Sequence, residues 1–333
     1  MQRHHHVLTG LCLVAAATIS PPSAEAADVR PDQVITALEQ SSGVHPGQRR
    51  NHIKGTCAAG TFVGLPAARA YSRSALFSGE PVPVIARFSL PGGNPHASDT
   101  ARTPRGLALE FVLADGSKHH MTMLNTPVFG SSSPQTFLNE VVAKRPTAGT
   151  GKPDPERIRA FHAAHPDSLA QSEYLARHNP PTSWANSSYF GIHTFKFVNR
   201  DSVTTLVRWR FVPKDGEVEL TDAQLASSPQ HFLESKLIER VRRGPIQWDM
   251  IVTLGKAGDV ESDPTKSWPT DRQEITAGIL TIVSAQPQKG AACEKINFDP
   301  LVMSDGIQPT NDPVLLFRSP AYAISFGKRL SGQ

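Results

Sequence analysis

The chain has 333 residues, of which 39% are hydrophobic and 19% charged, ordinary values for a globular protein that exclude a disordered or polytopic membrane protein. Its 34 lysines and arginines nearly balance 30 aspartates and glutamates, so the net charge of +4 predicts no nucleic-acid partner. The 24 glycines and 28 prolines are typical of many short strands joined by turns.

The first 27 residues have the pattern of a cleavable export signal. Arg3 and a histidine tract precede an apolar run at 7–19, which is too short for a stable membrane-spanning helix. A Pro-Pro pair ends the run, and Ala24 and Ala26 are small residues of the kind that signal peptidase recognises. We therefore predict that this segment is removed, that residues 28–333 form one domain without a membrane partner, and that the protein is exported to a bacterial periplasm.

Two cysteines, Cys57 and Cys293, belong to the predicted mature chain. An oxidising compartment would permit them to pair, but two cysteines define neither a disulfide framework nor a zinc site. Whether they form a bond is left open by the sequence.

Hydrophobic patterns between proline- and glycine-rich breaks predict both helices and strands. The predicted helices are, in chain order, 31–40, 135–143, one or two within 153–177, 229–243 and, after Pro320, 321–330. The predicted strands are 82–90, 106–113, 120–124, 191–199, 203–212, 248–254 and 275–285. Because the strands do not alternate with helices as βαβ units, they predict an α+β fold: a closed antiparallel β-barrel with appended helices.

Four segments carry polar residues that strand or helix packing does not require, namely 49–55, 87–89, 125–129 and 318–329. In the second, alternation along a strand puts Arg87 and Ser89 on one face, which by default is a solvated face. Taken singly, the four segments are explained as a surface histidine region, a solvated strand face, a turn and a basic amphipathic helix.

Taken together and in this order, the segments resemble the haem catalase superfamily. The sequence H-x-K-G at 52–55 is similar to the distal-histidine motif, and R-x-x-x-Y-x-x-S-x-x-x-R at 318–329 to the proximal haem-ligand motif. Further matches are R-F-S at 87–89, D-x-x-R-x-P-R-G at 99–106, N-T-P-V-F at 125–129, H-T-F-K-F-V-N at 193–199 and D-P-T-K-x-W-P at 263–269. The resemblance covers about residues 47 to 330 and implies a catalase-type barrel that binds haem b.

The resemblance implies an axial tyrosine ligand for the haem iron, Tyr322. A neighbouring guanidinium would favour its phenolate form, and Arg318 lies four residues earlier, although Pro320 between them predicts that Arg318 precedes the helix. The remaining implied haem contacts are an aromatic lining residue and three arginines that neutralise the haem propionates: Phe129, Arg49, Arg87 and Arg329.

On the peroxide-binding side, the resemblance implies that His52 takes a proton from the peroxide and returns it to the leaving oxygen. Ser89 would hold the other ring nitrogen of this histidine, and Asn125 would donate a hydrogen bond to the peroxide. Asp99 matches a channel position where a fixed charge could orient peroxide. His193 lies in a matching motif as a structural or proximal residue, and we do not predict it to be catalytic.

The sequence ends about ten residues after Tyr322, so we expect it to lack the wrapping loop and C-terminal helical region of true catalases, as the small catalase-related peroxidases do. The predicted function is a haem peroxidase that reduces organic hydroperoxides, with hydrogen peroxide as a further substrate, through a ferryl intermediate and with an unidentified reductant. A small catalase, a peroxide-isomerising enzyme and a non-catalytic haem-binding protein are the alternatives. We expect a monomer or a dimer.

Overall fold

The structure is a computed structural model that describes residues 1–2 and 28–333. The predicted export signal lies outside the described residues, apart from Met1 and Gln2. The strands are β1 (Gly55–Gly64), β2 (Pro81–Ser89), β3 (Gly106–Val112), β4 (Lys118–Leu124), β5 (Tyr189–Val198), β6 (Thr204–Pro213), β7 (Ile246–Leu254), β8 (Glu274–Pro287) and β9 (Ile307–Pro309).

The helices are α1 (Pro31–Ser42), α2 (Pro66–Arg69), α3 (Pro134–Ala143), α4 (Pro155–Ala164), α5 (Leu169–Arg177), α6 (Asp222–Ser227), α7 (Leu233–Arg242), α8 (Ala292–Lys295) and α9 (Pro313–Leu330). Short 3-10 turns span Ala75–Phe77, Pro166–Ser168 and Trp184–Asn186. In the part of the chain that the structure describes, no helix is long and apolar enough to cross a membrane.

The strands close into an antiparallel barrel in the order β4-β3-β2-β1-β8-β7-β6-β5. A pairing between β4 and β5, at Leu124 and Phe190, completes the circle, and β9 pairs with the same edge of β5 further along the strand, at residues 195–197. Closure removes the unpaired edges that an open sheet would present to other chains. The predicted fold class is therefore confirmed.

Aromatic side chains fill the interior of the barrel. Phe62 on β1 lies fully buried with its ring centroid 5.4 Å from that of Phe111 on β3. Gly278 on β8 makes room for this ring, because a Cβ atom there would lie 2.1 Å from Cζ of Phe62. Since the interior of the barrel is packed with side chains, a ligand cavity has to lie outside it.

Helices α1, α3 and α9 pack against one another through a separate apolar cluster. Val34, Ile35 and Leu38 of α1 are buried there against Phe137 of α3 and Phe317 of α9. The spacing of the α1 residues puts them on one face of the helix. Together with the outer surface of the barrel, these three helices enclose a cavity, and they form its wall on the side opposite the barrel.

Two local predictions were wrong, and long-range contacts explain both. The glycine-rich strand β1 was not predicted, but it forms complete ladders with β2 and β8. Helix α9 begins at Pro313 rather than after Pro320, which lies inside the helix. Asp312 caps its first turn and Leu315 is fully buried, so capping and packing outweigh the hydrogen bond that Pro320 removes.

Cys57 of β1 and Cys293 of α8 are joined by a disulfide bond, with their Cα atoms 5.6 Å apart. The bond attaches the segment that follows β8 to the barrel wall. The sequence left open whether these two cysteines pair, and the structure shows that they do.

Candidate active site

A cavity of about 450 Å³ lies between the outer surface of β2, β3 and β4 and the helices α1, α3 and α9. Eight of the nine predicted site residues line it, although they come from distant parts of the sequence: Arg49, His52, Arg87, Ser89, Phe129, Arg318, Tyr322 and Arg329. The ninth, Asn125, is half-buried at the end of β4, next to the lining residue Leu124.

His52 is held at the cavity by its side chain and by its backbone. Its Nδ1 lies 3.0 Å from Oγ of Ser89. Its backbone adopts φ +53°, a conformation that few residues other than glycine accept. Asn51 Oδ1 accepts a hydrogen bond from the backbone nitrogen of His52, and the carbonyl of His52 accepts one from Arg87. The surrounding contacts thus fix a strained residue in a single position.

The electrostatic surroundings keep the imidazole of His52 neutral. Burial is the main cause, and the nearby Arg87, Arg318 and Arg49 add to it; together they lower the pKa of His52 to about 3. A neutral imidazole has one nitrogen free to accept a proton, as a general base requires.

Gly106, the first residue of β3, packs directly against the pair formed by His52 and Ser89. A Cβ atom at this position would lie 2.9 Å from Oγ of Ser89 and 3.1 Å from Nδ1 of His52. Any side chain here would therefore have to displace the histidine or the serine.

Arg87 and Ser89 do not lie on a solvated strand face. Only 3% of Arg87 and 4% of Ser89 is exposed, because the helices and the segment after β8 cover this side of the barrel. Alternation along β2 correctly places the two residues on one face, but it does not reveal what covers that face.

Asn125 and Asp99 have partners of their own. The carboxamide oxygen of Asn125 accepts a hydrogen bond of 2.6 Å from the backbone nitrogen of Arg105, which leaves its nitrogen as the donor end. Asp99 is buried away from the cavity, where it binds Lys54 and accepts hydrogen bonds from the first backbone nitrogens of α7. The expected channel role of Asp99 is therefore wrong, and its role is to anchor α7.

A chain of hydrogen bonds runs from Asp312, at the N-terminus of α9, to Tyr322 at the cavity. Arg318 donates to the hydroxyl of Tyr322 at 2.7 Å and, through its other Nη atom, to Nε2 of His193 at 3.1 Å. Nδ1 of His193 in turn lies 2.7 Å from a carboxylate oxygen of Asp312, both residues being 1% exposed.

Burial lowers the pKa of His193, although Asp312 opposes the shift. The imidazole is then neutral, donating to Asp312 and accepting from Arg318. This arrangement orients the guanidinium towards the Tyr322 oxygen, to which it donates. His193 thus lies on the Tyr322 side of the cavity, where it positions Arg318.

Three arginines form a cluster of positive charge at the cavity. Burial and the other arginines lower the pKa of Arg49 to about 8 and that of Arg87 to about 9, and burial lowers the pKa of Arg329. Among the ion pairs of the described residues, none includes these three arginines. Such a cluster favours an anionic group in the cavity.

The similarity to known proteins agrees with this geometry. Residues 35–333 match the family model of catalases. The chain belongs to the catalase family. It is 57% identical over 96% of its length to a catalase-related peroxidase of Synechococcus elongatus, covering 94% of that protein. A catalase-related peroxidase of Mycolicibacterium paratuberculosis is 33% identical, with 89% of this chain and 93% of that one covered.

Full catalases are more distant and longer. The chain is 30% identical to a catalase of Schizosaccharomyces pombe over 85% of its own length, but it covers 58% of that protein. Among solved structures, a bacterial catalase superposes with a TM-score of 0.78 at 25% identity, covering 96% of this chain and 63% of that chain. The barrel of this family member is therefore the shared catalase core.

Catalase-family membership implies haem, and the residues at the cavity fit it. Tyr322 offers a phenolic oxygen of the kind that binds iron in catalases. The unpaired arginines suit the carboxylates of haem, and Leu38, Val141 and Ile192 supply apolar walls for a porphyrin. Among the described residues, no cluster of three or more histidine, cysteine or acidic side chains could hold a metal ion.

Sequence reasoning did not predict three residues that build this catalase-family site: Gly106, Asp312 and Gln288. Asp312 carried a usable signal, since Asp followed by Pro is typical of a helix start. Gly106 ends the matched D-x-x-R-x-P-R-G segment, but no local pattern reveals that it packs against His52 and Ser89. Nor does any local pattern reveal that Gln288, just after β8, accepts hydrogen bonds from Arg87.

Proposed function

We propose that the protein is a haem peroxidase that reduces peroxides, organic hydroperoxides above all, with electrons from an external donor. The observation that carries the proposal is the neutral His52, held by Ser89, in the same cavity as Tyr322, held by Arg318. A protein that only stored haem would need the iron ligand but not this acid–base pair. The names of the two relatives that match nearly end to end support the same function.

Haem, held by Tyr322 and the three arginines, would supply an iron centre that takes up two oxidising equivalents from a peroxide. The protein supplies the ligand environment. Arg318 donates to the Tyr322 oxygen and Thr122 accepts from Arg318, so the guanidinium is fixed in its orientation. The guanidinium would then stabilise negative charge on the Tyr322 oxygen when that oxygen binds iron.

His52 would carry out the proton transfers. With its Nδ1–H donating to Oγ of Ser89, Nε2 keeps its lone pair and can accept a proton from a bound peroxide. The same nitrogen then donates that proton to the distal oxygen as it leaves. The product oxygen departs as water or an alcohol rather than as a more basic anion.

Asn125 and Phe129 would orient the peroxide and the porphyrin. The oxygen of Asn125 is bound to Arg105, so its amide hydrogens are the end that can stabilise charge on a peroxide oxygen. Phe129 stacks on Phe137 of α3 with ring centroids 5.8 Å apart, which gives the cavity a firm aromatic wall.

The test is a turnover assay on the haem-loaded protein with cumene hydroperoxide and with hydrogen peroxide, each with and without an artificial electron donor. We expect a high-spin ferric spectrum of a tyrosinate-ligated haem and donor-dependent consumption of cumene hydroperoxide. Rapid oxygen release from hydrogen peroxide without donor would instead identify a small catalase. Rearrangement of the hydroperoxide without a donor would identify an isomerase, and inert haem a binding protein.

We further propose that the protein works in the periplasm. The disulfide between Cys57 and Cys293 supports an oxidising compartment, because such bonds are rare in reducing cytosols. Fractionation of the native host, combined with labelling of free thiols before and after reduction, tests this. Protein in the cytosolic fraction with two labelled thiols would contradict it.

A further inference from the structure

The segment that follows β8 binds the three arginines of the cavity. We call residues 288–296 the acceptor loop. Its first residue, Gln288, accepts hydrogen bonds through Oε1 from Nε of Arg87 at 3.1 Å and from Nη2 at 2.7 Å. Nε2 of Gln288 donates to the carbonyl of Ile53 at 2.8 Å, next to His52. One neutral side chain thus fixes Arg87 and the segment that carries the acid–base histidine.

The other two arginines bind backbone carbonyls at the far end of the acceptor loop. Arg49 donates to the carbonyl of Cys293 at 3.1 Å and to that of Ile296 at 2.6 Å. Arg329 donates to the carbonyl of Glu294 at 2.9 Å. The disulfide from Cys293 to the barrel wall holds these carbonyls in place.

The protein oxygens that bind the three arginines are all uncharged. The nearby carboxylate of Glu294 accepts a hydrogen bond of 2.7 Å from the backbone nitrogen of Gly290 and forms no ion pair with Arg49, Arg87 or Arg329. Three guanidinium groups and one carboxylate leave a net positive charge beside the acceptor loop, which suits the carboxylates of haem.

We propose that Gln288 is a positioning residue for haem: it holds Arg87 with a neutral oxygen, so that the guanidinium charge stays available to a haem propionate. The proposal rests on the proposed function, since it presupposes haem in this cavity. A glutamate at this position would reach the same two guanidinium atoms but would neutralise them. A residue with no oxygen would leave Arg87 charged but without its anchor.

The experiment compares Gln288→Glu, Gln288→Ala and the unchanged chain, all loaded with haem, by the rate at which excess apomyoglobin captures the haem. Thermal unfolding of the haem-free proteins is measured in parallel. Gln308→Glu is the matched control, because Gln308 is exposed on β9 and does not line the cavity.

We expect the midpoint of haem-free unfolding of Gln288→Glu to lie above that of Gln288→Ala, because the new ion pair with Arg87 offsets the lost donation to the Ile53 carbonyl. Haem loss from Gln288→Glu should nevertheless be roughly tenfold faster than from the unchanged chain, the usual effect of losing one charge-assisted hydrogen bond. Gln288→Ala should lower the midpoint and also speed haem loss, and Gln308→Glu should change neither. A residue that acts through stability alone would move the midpoint and haem retention together.

The outcomes separate this proposal from the proposed function. If the unchanged chain retains haem and Gln288→Glu retains it equally well, the role of Gln288 is wrong while the haem enzyme stands. If Gln288→Glu does not fold, haem retention in Gln288→Ala equal to that of the unchanged chain overturns the role instead. If the unchanged chain retains no haem, both proposals fail.

Discussion

The two polar networks at the cavity are built on opposite electrostatic principles. The pair of His52 and Ser89 contains no formal charge, and burial with three neighbouring arginines lowers the pKa of the histidine to about 3. The network that reaches Tyr322 contains the charged Arg318 and Asp312, joined through His193. An imidazole has to be neutral before it can accept a proton, whereas positive charge beside a phenolic oxygen favours its use as an anionic ligand.

The means of positioning also differ between the two networks. His52 is fixed by sterics and backbone strain: φ is +53° and the Gly106 backbone lies against its ring. Tyr322 is fixed by a regular helix, where Arg318 lies one turn earlier. The histidine network should therefore respond to small changes in volume, and the tyrosine network to changes in charge. The following predictions test this difference.

The largest effect is expected from His52→Gln. Removal of the general base should lower the rate of reaction with peroxide by about 10² to 10⁴-fold, while the haem stays bound because Tyr322 and the arginines are unchanged. Stopped-flow mixing of the haem-loaded variant with cumene hydroperoxide measures this rate. His96→Gln, the same change at an exposed histidine, is the control. Full activity of His52→Gln would remove this histidine from the mechanism.

A smaller effect is expected from Asp312→Asn, which tests the charge in the tyrosine network. The loss of the carboxylate should let His193 turn and release Arg318, lowering activity about 10 to 100-fold and shifting the optical spectrum of the haem, as is usual for outer partners of a metal ligand.

The asparagine in Asp312→Asn still caps α9, but the buried Nδ1–H of His193 loses its carboxylate acceptor, so the free energy of unfolding should fall by about 1 to 3 kcal/mol. The control is Asp154→Asn, since Asp154 caps α4 in the same way but has no histidine partner. An unchanged spectrum and unchanged activity in Asp312→Asn would show that charge does not matter on this side of the cavity.

Local sequence patterns were sufficient to predict most strands of the barrel. Strand β7 alternates buried and partly exposed residues along its whole length, and the pattern of 248–254 predicted it. Strand β1 has no such signal, because its glycines and alanines are not typical strand residues. They are required by close neighbours in the folded barrel: a Cβ on Gly60 would lie 1.9 Å from the Thr281 carbonyl oxygen. Elements specified by long-range contacts are thus the ones that were missed.

The site divides in the same way. The residues that the resemblance implied could be named, because their motifs occur in order along the chain, and eight of the nine line one cavity. The residues that position them could not be named. Gln288 contacts Arg87, and Gly106 contacts His52, only in the closed barrel, where residues distant in the sequence lie side by side. Asp99 shows the converse, since a residue in a matching motif can serve the fold, here by an ion pair with Lys54 and by hydrogen bonds to the start of α7.

A more modest effect is expected from Gly106→Ala, which tests the steric positioning of His52. The new methyl group would overlap Oγ of Ser89 and crowd the imidazole, so the ring must shift. A displacement of this size should lower the rate of reaction with peroxide about tenfold, with the spectrum of the ferric haem unchanged.

Gly327→Ala on α9 is the matched control for Gly106→Ala. A Cβ there meets nothing within 4 Å, so this variant should react with peroxide at the normal rate. The steric account would be contradicted if Gly106→Ala kept the normal rate, or if it lost activity only together with haem.

The smallest effect concerns pH and follows from the depressed pKa of His52. Because the imidazole loses its proton at about pH 3, it is already neutral throughout the range from pH 5 to 8. The rate of peroxide reduction should change less than about twofold across this range. A fall in rate below about pH 6.5, as for an ordinary histidine, would show that His52 is not held neutral by its surroundings.

The same pKa difference acts on stability, with a definite sign. In the unfolded chain the imidazole binds a proton below about pH 6.5, whereas in the folded protein it does so only at about pH 3. The free energy of unfolding should therefore fall as the pH drops from 6.5 towards 3. His52→Gln should weaken this dependence in urea titrations, whereas His96→Gln should leave it intact. Equal slopes in all three proteins would mean that the imidazole is solvated, and the difference between the two networks would then be one of position rather than of charge.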